Sequence, residues 1–170
     1  MVRIISCDSS HVEDLLRIAK VTFTDTYAAK NSAEGMRDYL ALHFTPAVFE
    51  AQLSDKNSLY FLAAEGENYV GYLKLNFAGA QTEAGHPDSL EIERIYVLKE
   101  FHGAGMGQLL VEKAIEVARE NELKYLWLGV WTENERAIHF YEKMGFEKIG
   151  THIFHFAGEA QTDYLMALYL

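Results

Sequence analysis

The chain has 170 residues, 49% of them hydrophobic, which is the size and apolar content of one ordinary domain with a sizeable core and excludes intrinsic disorder. Its 15 basic and 25 acidic residues leave a formal net charge of −10 at pH 7. That sign opposes the counterion-release binding that nucleic acids and anionic membranes reward, and it suits a small polycation. A single cysteine, Cys7, excludes an internal disulfide framework and a multi-cysteine metal site. With no apolar leader at Met1 to Ser10 and no membrane-length apolar run, the expectation is a cytoplasmic protein without metal, nucleic-acid or membrane partner.

In chain order, Arg3 to Ile5 reads as a short strand. Ser9 or Ser10, with Glu13 and Asp14 behind it, caps a helix that carries Val12, Leu15, Leu16, Ile18, Ala19 and Phe23 on one face. Asn31 or Ser32 starts a second helix with Met36, Tyr39 and Leu40 inward, and Pro46 sits in the first turn of a third that runs towards Leu53. The period then changes to two. Tyr60 to Glu65 and Tyr69 to Phe77 form a hairpin across Gly66-Glu67-Asn68, and Gly79 to Asp88 is a polar loop. Leu90 to Leu98 is a strand whose alternation sets Glu91, Glu93, Ile95 and Val97 on one face and Ile92, Arg94 and Tyr96 on the other.

Gly105 to Asn121 carries the strongest helical pattern, with Met106, Leu109, Leu110, Ala114, Ile115, Val117 and Ala118 apolar. Tyr125 to Val130 is a strand apolar enough to be buried on both faces. Asn134 to Met144 is a short helix closed by Gly145 as a left-handed cap, and Glu147 to Phe156 and Asp163 to Tyr169 are two last strands. The strand–helix–strand step from Ile95 to Trp127 requires a parallel pairing, whereas the hairpins require antiparallel ones. The expected fold is α/β: a mixed, mostly antiparallel seven-stranded sheet with helices on both faces and one central parallel strand pair, in one domain over residues 1–170.

His102-Gly103-Ala104-Gly105-Met106-Gly107 follows a strand and opens a helix. Alternate glycines let the backbone turn tightly and bring N–H groups and a helix N-terminus against an anion, pyrophosphate above all. The dinucleotide fingerprint fails, because after Gly103 and Gly105 it needs glycine where Gln108 stands. A Walker loop fails too, for want of Gly-Lys-Ser/Thr.

The remaining arrangement resembles the GNAT superfamily of acetyl-CoA-dependent N-acetyltransferases. That family carries Arg/Gln-x-x-Gly-x-Gly/Ala after its fourth strand; here His102 to Gly107 follows Ile95-Tyr96-Val97, with His102 in place of Arg or Gln. The loss of that permanent charge is expected to weaken phosphate binding without abolishing it. The second family block is matched by Asn134, Ala137, Tyr141 and Gly145-Phe146. Glu91 to Tyr96, Trp127 to Trp131, Gln161-Thr162-Asp163 and Thr22 to Tyr27 further resemble the PaiA-type spermidine/spermine N-acetyltransferases of Gram-positive bacteria. The resemblance implies acetyl-CoA as cosubstrate, a polyamine as acceptor, and a homodimer through the late strands.

Acetyl transfer to an amine needs a held donor, a deprotonated nitrogen, a polarised carbonyl and a proton for the leaving thiolate. An alkylamine with a pKa of about 10.4 is nucleophilic in roughly one molecule in a thousand at neutral pH, so a general base is required. Glu91 and Glu93, two apart on one strand, are the candidates, Glu93 preferred because it is nearer the loop; the other glutamate could hold the substrate's charge. Tyr141 is the candidate acid, since a phenol near 10 suits a thiol near 8.5. The resemblance implies that the amides of Ile95 and Val97, flanking Tyr96, receive pantetheine, that Val97 N–H polarises the acetyl carbonyl, that Asn134 bonds pantetheine and that Lys143 meets a phosphate. Asp25, Tyr27, Glu34 and Asp38 are candidates for the polyamine, by charge and aromatic face. His152 and His155 show no metal spacing and read as structural. Two further readings stay open: acetylation of a peptide or protein amine, and an acyl-CoA-binding regulator without turnover.

Overall fold

After the strand Val2–Ser6 (β1) the chain turns on Asp8, not on the serines behind it. The Asp8 carboxylate accepts from Ser10 N at 2.9 Å, and Asp8 N donates to His11 Nδ1 at 3.0 Å, so two orphan amides are satisfied before the helix Val12–Tyr27 (α1) begins. All six predicted apolar residues of that helix are buried, Leu15 and Ile18 completely; a side chain so placed contributes about 1.5–3 kcal/mol. Ser32 caps Ala33–His43 (α2) and Thr45 caps Pro46–Ser54 (α3), each through its hydroxyl. The computed structural model describes residues 1–156 and 158–170.

Ser58–Glu65 (β2), Asn68–Phe77 (β3) and Ser89–Val97 (β4) form an antiparallel meander, with β1 paired to β2. Met106–Glu120 (α4) crosses to Tyr125–Trp131 (β5), which is the parallel step. Glu135–Lys143 (α5) then leads to Glu147–Phe156 (β6) and Glu159–Tyr169 (β7). The strands form the expected mixed seven-stranded sheet, and their order is β1-β2-β3-β4-β5-β7-β6, with β7 inserted between β5 and β6.

Helices cover both faces. Leu73, Leu75, Leu90, Ile92, Leu126 and Leu128 meet α4 and α5 on one side, while Leu62, Tyr60, Tyr72 and Phe156 meet α1 to α3 on the other. Leu109, expected inside, is 36% exposed, and Val111 takes the buried position instead.

Two features of β4 place the site. First, its register on β3 shifts: Leu75 opposes Ile92 and Lys74 opposes Arg94, which leaves Glu93 as an extra residue. The alternation expected from sequence is therefore broken by a β-bulge. Ile95 and Val97 pack with Ile92 on the α4 side, and the two glutamates do not share their face. Glu93 and Arg94 both turn to the α1 side, where Glu93 pairs with Lys74 and the Arg94 guanidinium lies 4.9 Å from the Phe44 ring. Second, the parallel ladder holds for only three pairs, ending at Glu91↔Trp127. Beyond them β4 and β5 separate.

Candidate active site

The separation opens a cleft of about 1000 Å³ whose walls are Ile92 to Val97 on one strand and Leu128 to Trp131 on the other. At one end stand the glycine loop and α5; at the other, Asp25, Tyr27 and Lys30 at the end of α1 and just beyond it. The ladder geometry says which main-chain groups face the gap. Leu98 N donates to Val70 O at 2.8 Å, so positions 98, 96 and 94 direct their polar groups at β3. Ile95 and Val97 consequently direct theirs away from β3, towards the split, where β5 offers no partner. Tyr96, by contrast, spends its main chain on β3 and contributes its ring to the cleft.

Gly103 and Gly105 adopt φ of +80° and +83°, a region that costs other residues about 1–2 kcal/mol, and Gly105 is the N-cap of α4. The first-turn amides of α4 have no helical acceptor and lie at the cleft with Met106 and Gly107. Ala104 is exposed at the tip of the turn and is not on the cleft wall. The His102 ring, though exposed, folds back onto β4, its Nε2 2.7 Å from Val97 O. That side chain ties the loop to β4, so it is the loop's main chain that is left for an anion. Free amides, positive-φ glycines and the helix N-terminus fit the pyrophosphate and pantetheine of a coenzyme A thioester.

Asn134 caps α5, its Oδ1 accepting from Ala137 N at 3.3 Å, which leaves its Nδ2 for the cleft. Tyr141 is buried on the same helix between Phe140 and Phe146. Burial pushes its phenol well above the ordinary value, with Tyr96 adding to the effect, so the phenol is protonated at every physiological pH; the affinity expected from sequence was that of an exposed tyrosine. Lys143 reaches the cleft from the last turn. Arg136 and His139, not singled out in the sequence, line it too, and their spacing with Lys143 (136, 139, 143) was legible as one helical face.

The two glutamates part company. Glu93 lines the cleft and is ion-paired with Lys74, an almost fully buried lysine. Burial lowers the Lys74 pKa and Glu93 works against that shift. Glu91 does not line the cleft. Its Oε1 accepts from Asn76 Nδ2 at 2.9 Å and from Thr82 N at 2.8 Å, and its Oε2 accepts from the Thr82 hydroxyl. It pins the loop after β3 onto the sheet. Burial raises its carboxyl above the usual range, against the pull of Thr82 and Asn76.

Of the four acceptor candidates, Asp25 and Tyr27 line the cleft, with Tyr27 packed 5.3 Å from the Trp131 ring. Glu34 and Asp38 lie on the solvent face of α2, because Gly35 and Met36 take the buried one. Lys30, Trp131 and Glu133 form an unpredicted group here: the Lys30 ammonium pairs with Glu133 and sits 5.8 Å from the Trp131 ring. His152 lies between Glu83 and Asp163, with Nδ1 2.8 Å from Glu83 Oε2 and Nε2 3.3 Å from Asp163 Oδ2. Nothing in the local sequence brings these three together, since 69 residues separate Glu83 from His152.

The fold and the split-strand cleft are those of an acyltransferase that takes its acyl group from a coenzyme A thioester. Residues 13–146 match the acetyltransferase (GNAT) family, and the chain belongs to it. It is an acetyl-CoA-dependent N-acetyltransferase. It is 37% identical over 166 residues to an uncharacterized N-acetyltransferase in the pepI 3′ region of Lactobacillus delbrueckii subsp. lactis, covering 97% of this chain and 95% of that one. It is 29% identical over 105 residues, 62% of each chain, to the N-alpha-acetyltransferase RimI of Mycobacterium tuberculosis. The crystal structure of the PaiA N-acetyltransferase from Thermoplasma acidophilum in complex with coenzyme A shares the fold, with a TM-score of 0.84 at 19% identity over 100% of this chain and 99% of that one.

Proposed function

We propose that the protein transfers the acetyl group of acetyl-CoA directly to a primary amine of a polyamine, spermidine or spermine. The observation that carries the reading is the Lys30–Glu133–Trp131 group. There an alkylammonium is already held at the acceptor end of the cleft by a carboxylate and an aromatic face. Asp25, Glu93 and Tyr27 repeat those two elements on the neighbouring walls.

In this reading the glycine loop from His102 to Gly107 holds the pyrophosphate, with Lys143 and Arg136 beside it. The main chain of Ile95 and Val97 pairs with pantetheine and Asn134 Nδ2 donates to it. Val97 N–H is directed at the acetyl oxygen, where negative charge develops during attack. Glu93 receives the acceptor's ammonium, and Tyr141 supplies the proton that the departing thiolate takes up. Cytoplasmic residence and a homodimer through the free edge of β6, which exposes Ile149 and Ile153, belong to the same reading.

Thiol release from acetyl-CoA tests it over spermidine, spermine, putrescine, lysine and short peptides. Selective turnover of spermidine and spermine is expected. Turnover of peptides alone would keep the donor site and discard the polyamine. Acetyl-CoA binding without turnover of any amine would favour a regulator.

A further inference from the structure

Asp25, Glu93 and Glu133, the carboxylates that line the cleft outside α5, are each matched by a lysine of the chain itself. Glu93 pairs with Lys74, Asp25 lies 3.8 Å from Lys99, and Glu133 Oε1 lies 2.5 Å from the Lys30 ammonium. A polycation entering there must therefore replace a lysine. The three pairs differ in how readily they exchange. Lys74 is almost fully buried, so releasing it from Glu93 would strand a charge away from water. Lys99 stands off Asp25 at the far limit of an ion pair. Lys30 and Glu133 form the close pair, their side chains are 55% and 49% exposed, and the ammonium lies 5.8 Å from the Trp131 ring. Such an exposed pair is weak, and the flexible lysine stem can carry its charge into water while the backbone stays in place. That backbone has other anchors: Asn31 Oδ1 accepts from Gln161 Nε2 at 3.0 Å, and Tyr27 packs on Trp131.

We propose that Lys30 is an internal competitor for the acceptor. Its ammonium holds the place, at Glu133 and over Trp131, that a remote ammonium of the polyamine takes while the reacting nitrogen lies at the split beside Glu93. The proposal rests on reading this cleft as a polyamine site. One alkylammonium replaces another, so the Glu133 carboxylate stays paired throughout the exchange. Both competitors are tethered, Lys30 through the backbone and the remote ammonium through the nitrogen already bound, so their effective concentrations at Glu133 decide the outcome. An acceptor with a single ammonium cannot compete, because its one charge is spent at the reacting end. Glu133 and Trp131 thus read the second charge of the acceptor, and Lys30 sets how much polyamine is needed.

The alternative role for the pair is a strap between the turn after α1 and the loop before α5, and the two roles carry opposite signs. Removing the charge of a competitor strengthens polyamine binding. Removing half of a strap loosens the acceptor wall and weakens it. Lys30→Met makes the distinction cleanly, because methionine keeps an apolar stem against Trp131 and deletes only the charge. Salt gives a second signature. In the wild type a cation replaces a cation at Glu133, whereas in Lys30→Met the polyamine meets an unpaired carboxylate, an attraction that salt screens.

The test is KM for spermidine and for butylamine, at low and high salt, in wild type, Lys30→Met, Glu133→Gln and Lys20→Met. Lys30→Met should lower the spermidine KM about threefold and make it more salt-dependent, with a smaller change for butylamine. Glu133→Gln should raise the spermidine KM about as much. Lys20→Met makes the same change in net charge on the exposed side of α1, off the cleft wall, and should do neither. A higher spermidine KM in Lys30→Met assigns the pair to a strap and overturns the exchange. A fall that Lys20→Met or butylamine reproduces also overturns it, as a long-range effect of charge. Calorimetric titration of spermidine into each protein with coenzyme A present separates this proposal from the reading beneath it. Affinity in the order Lys30→Met, wild type, Glu133→Gln, without turnover, keeps the exchange and discards the polyamine as substrate. Turnover of spermidine with equal affinities in those three proteins overturns the exchange alone, and no binding of spermidine overturns both.

Discussion

The two halves of β4 are built from similar residues and do opposite work. At Leu90 and Glu91 the strand is paired on both sides, and its carboxylate, Glu91, has each oxygen hydrogen-bonded. From Arg94 to Val97 it is paired with β3 alone, and the main chain of Ile95 and the N–H of Val97 face an open cleft, while Val97 O meets the His102 ring. A one-residue bulge at Glu93 divides them. Satisfied polar groups stabilise; unsatisfied ones in an accessible cleft are where a ligand's groups gain most, because they replace bonds the protein lacks. The comparison predicts that substitutions before the bulge lower stability and those after it lower binding or turnover.

The largest expected effect crosses that line. Lys74→Met removes the partner of Glu93 and leaves a carboxylate largely out of water, which costs about 3–5 kcal/mol for a buried pair. Glu93→Gln added to Lys74→Met should recover most of that loss, and a denaturation cycle over the four proteins measures the coupling. If the double variant is as unstable as the single one, the cost lies in packing, and the ion pair does not hold the bulge. Next comes Tyr141→Phe, which touches the cleft and not the sheet. Loss of a proton donor should lower kcat about a hundredfold, equivalent to roughly 2.7 kcal/mol of barrier, with acetyl-CoA affinity and melting temperature within error of wild type. Equal losses in kcat and acetyl-CoA affinity would make the tyrosine a binding residue.

How much of this contrast was legible in the sequence differs between the halves. Periodicity located every strand and helix to within a few residues, and the strand–helix–strand step required the parallel pair, because these depend on local spacing and on chain connectivity. The bulge was not legible: Glu91, Glu93, Ile95 and Val97 alternate without a break, and the register slip comes from pairing with β3. Glu34 and Asp38 failed for another reason: they were chosen by charge, and with Met36 inward, as the periodicity had it, both fall on the solvent face of α2. Asp25, Tyr27, Asn134 and Tyr141 did come together at the cleft. The Glu83–His152–Asp163 group lay out of reach because three separate segments, a loop and two strands, supply it.

Ahead of the bulge, Glu91→Gln should cost about 1–3 kcal/mol, or roughly 2–4 °C of melting temperature per kcal/mol, with kcat/KM unchanged. It should also alter the pH dependence of stability in a defined direction. Burial raises the folded-state pKa of Glu91 above its unfolded value, so between the two values the folded protein holds more protons than the unfolded one. Stability contributed by this group is therefore greatest at acid pH and declines as pH rises through that window. Denaturant melts over the window should show the decline in wild type and its absence in Glu91→Gln. A decline of the same size in both would assign it to other carboxylates, Asp163 first among them.

The smallest effect separates the strain of a left-handed glycine from its use. Gly105 and Gly85 both hold positive φ, +83° and +92°, and a Cβ at either meets no atom within 4 Å, so alanine at each carries the same backbone penalty of about 1 kcal/mol. Gly105 opens α4 at the cleft; Gly85 lies in the loop after β3, away from it. Gly85→Ala should lower the melting temperature by a few degrees and leave acetyl-CoA affinity alone. Gly105→Ala should lower the melting temperature as much and weaken acetyl-CoA by roughly fivefold, because the amides that would meet the pyrophosphate are re-aimed. Calorimetric titration of both variants reads the difference directly. Equal affinities would mean that the loop only turns the chain into α4, and that the donor's phosphates are held by Arg136 and Lys143 instead.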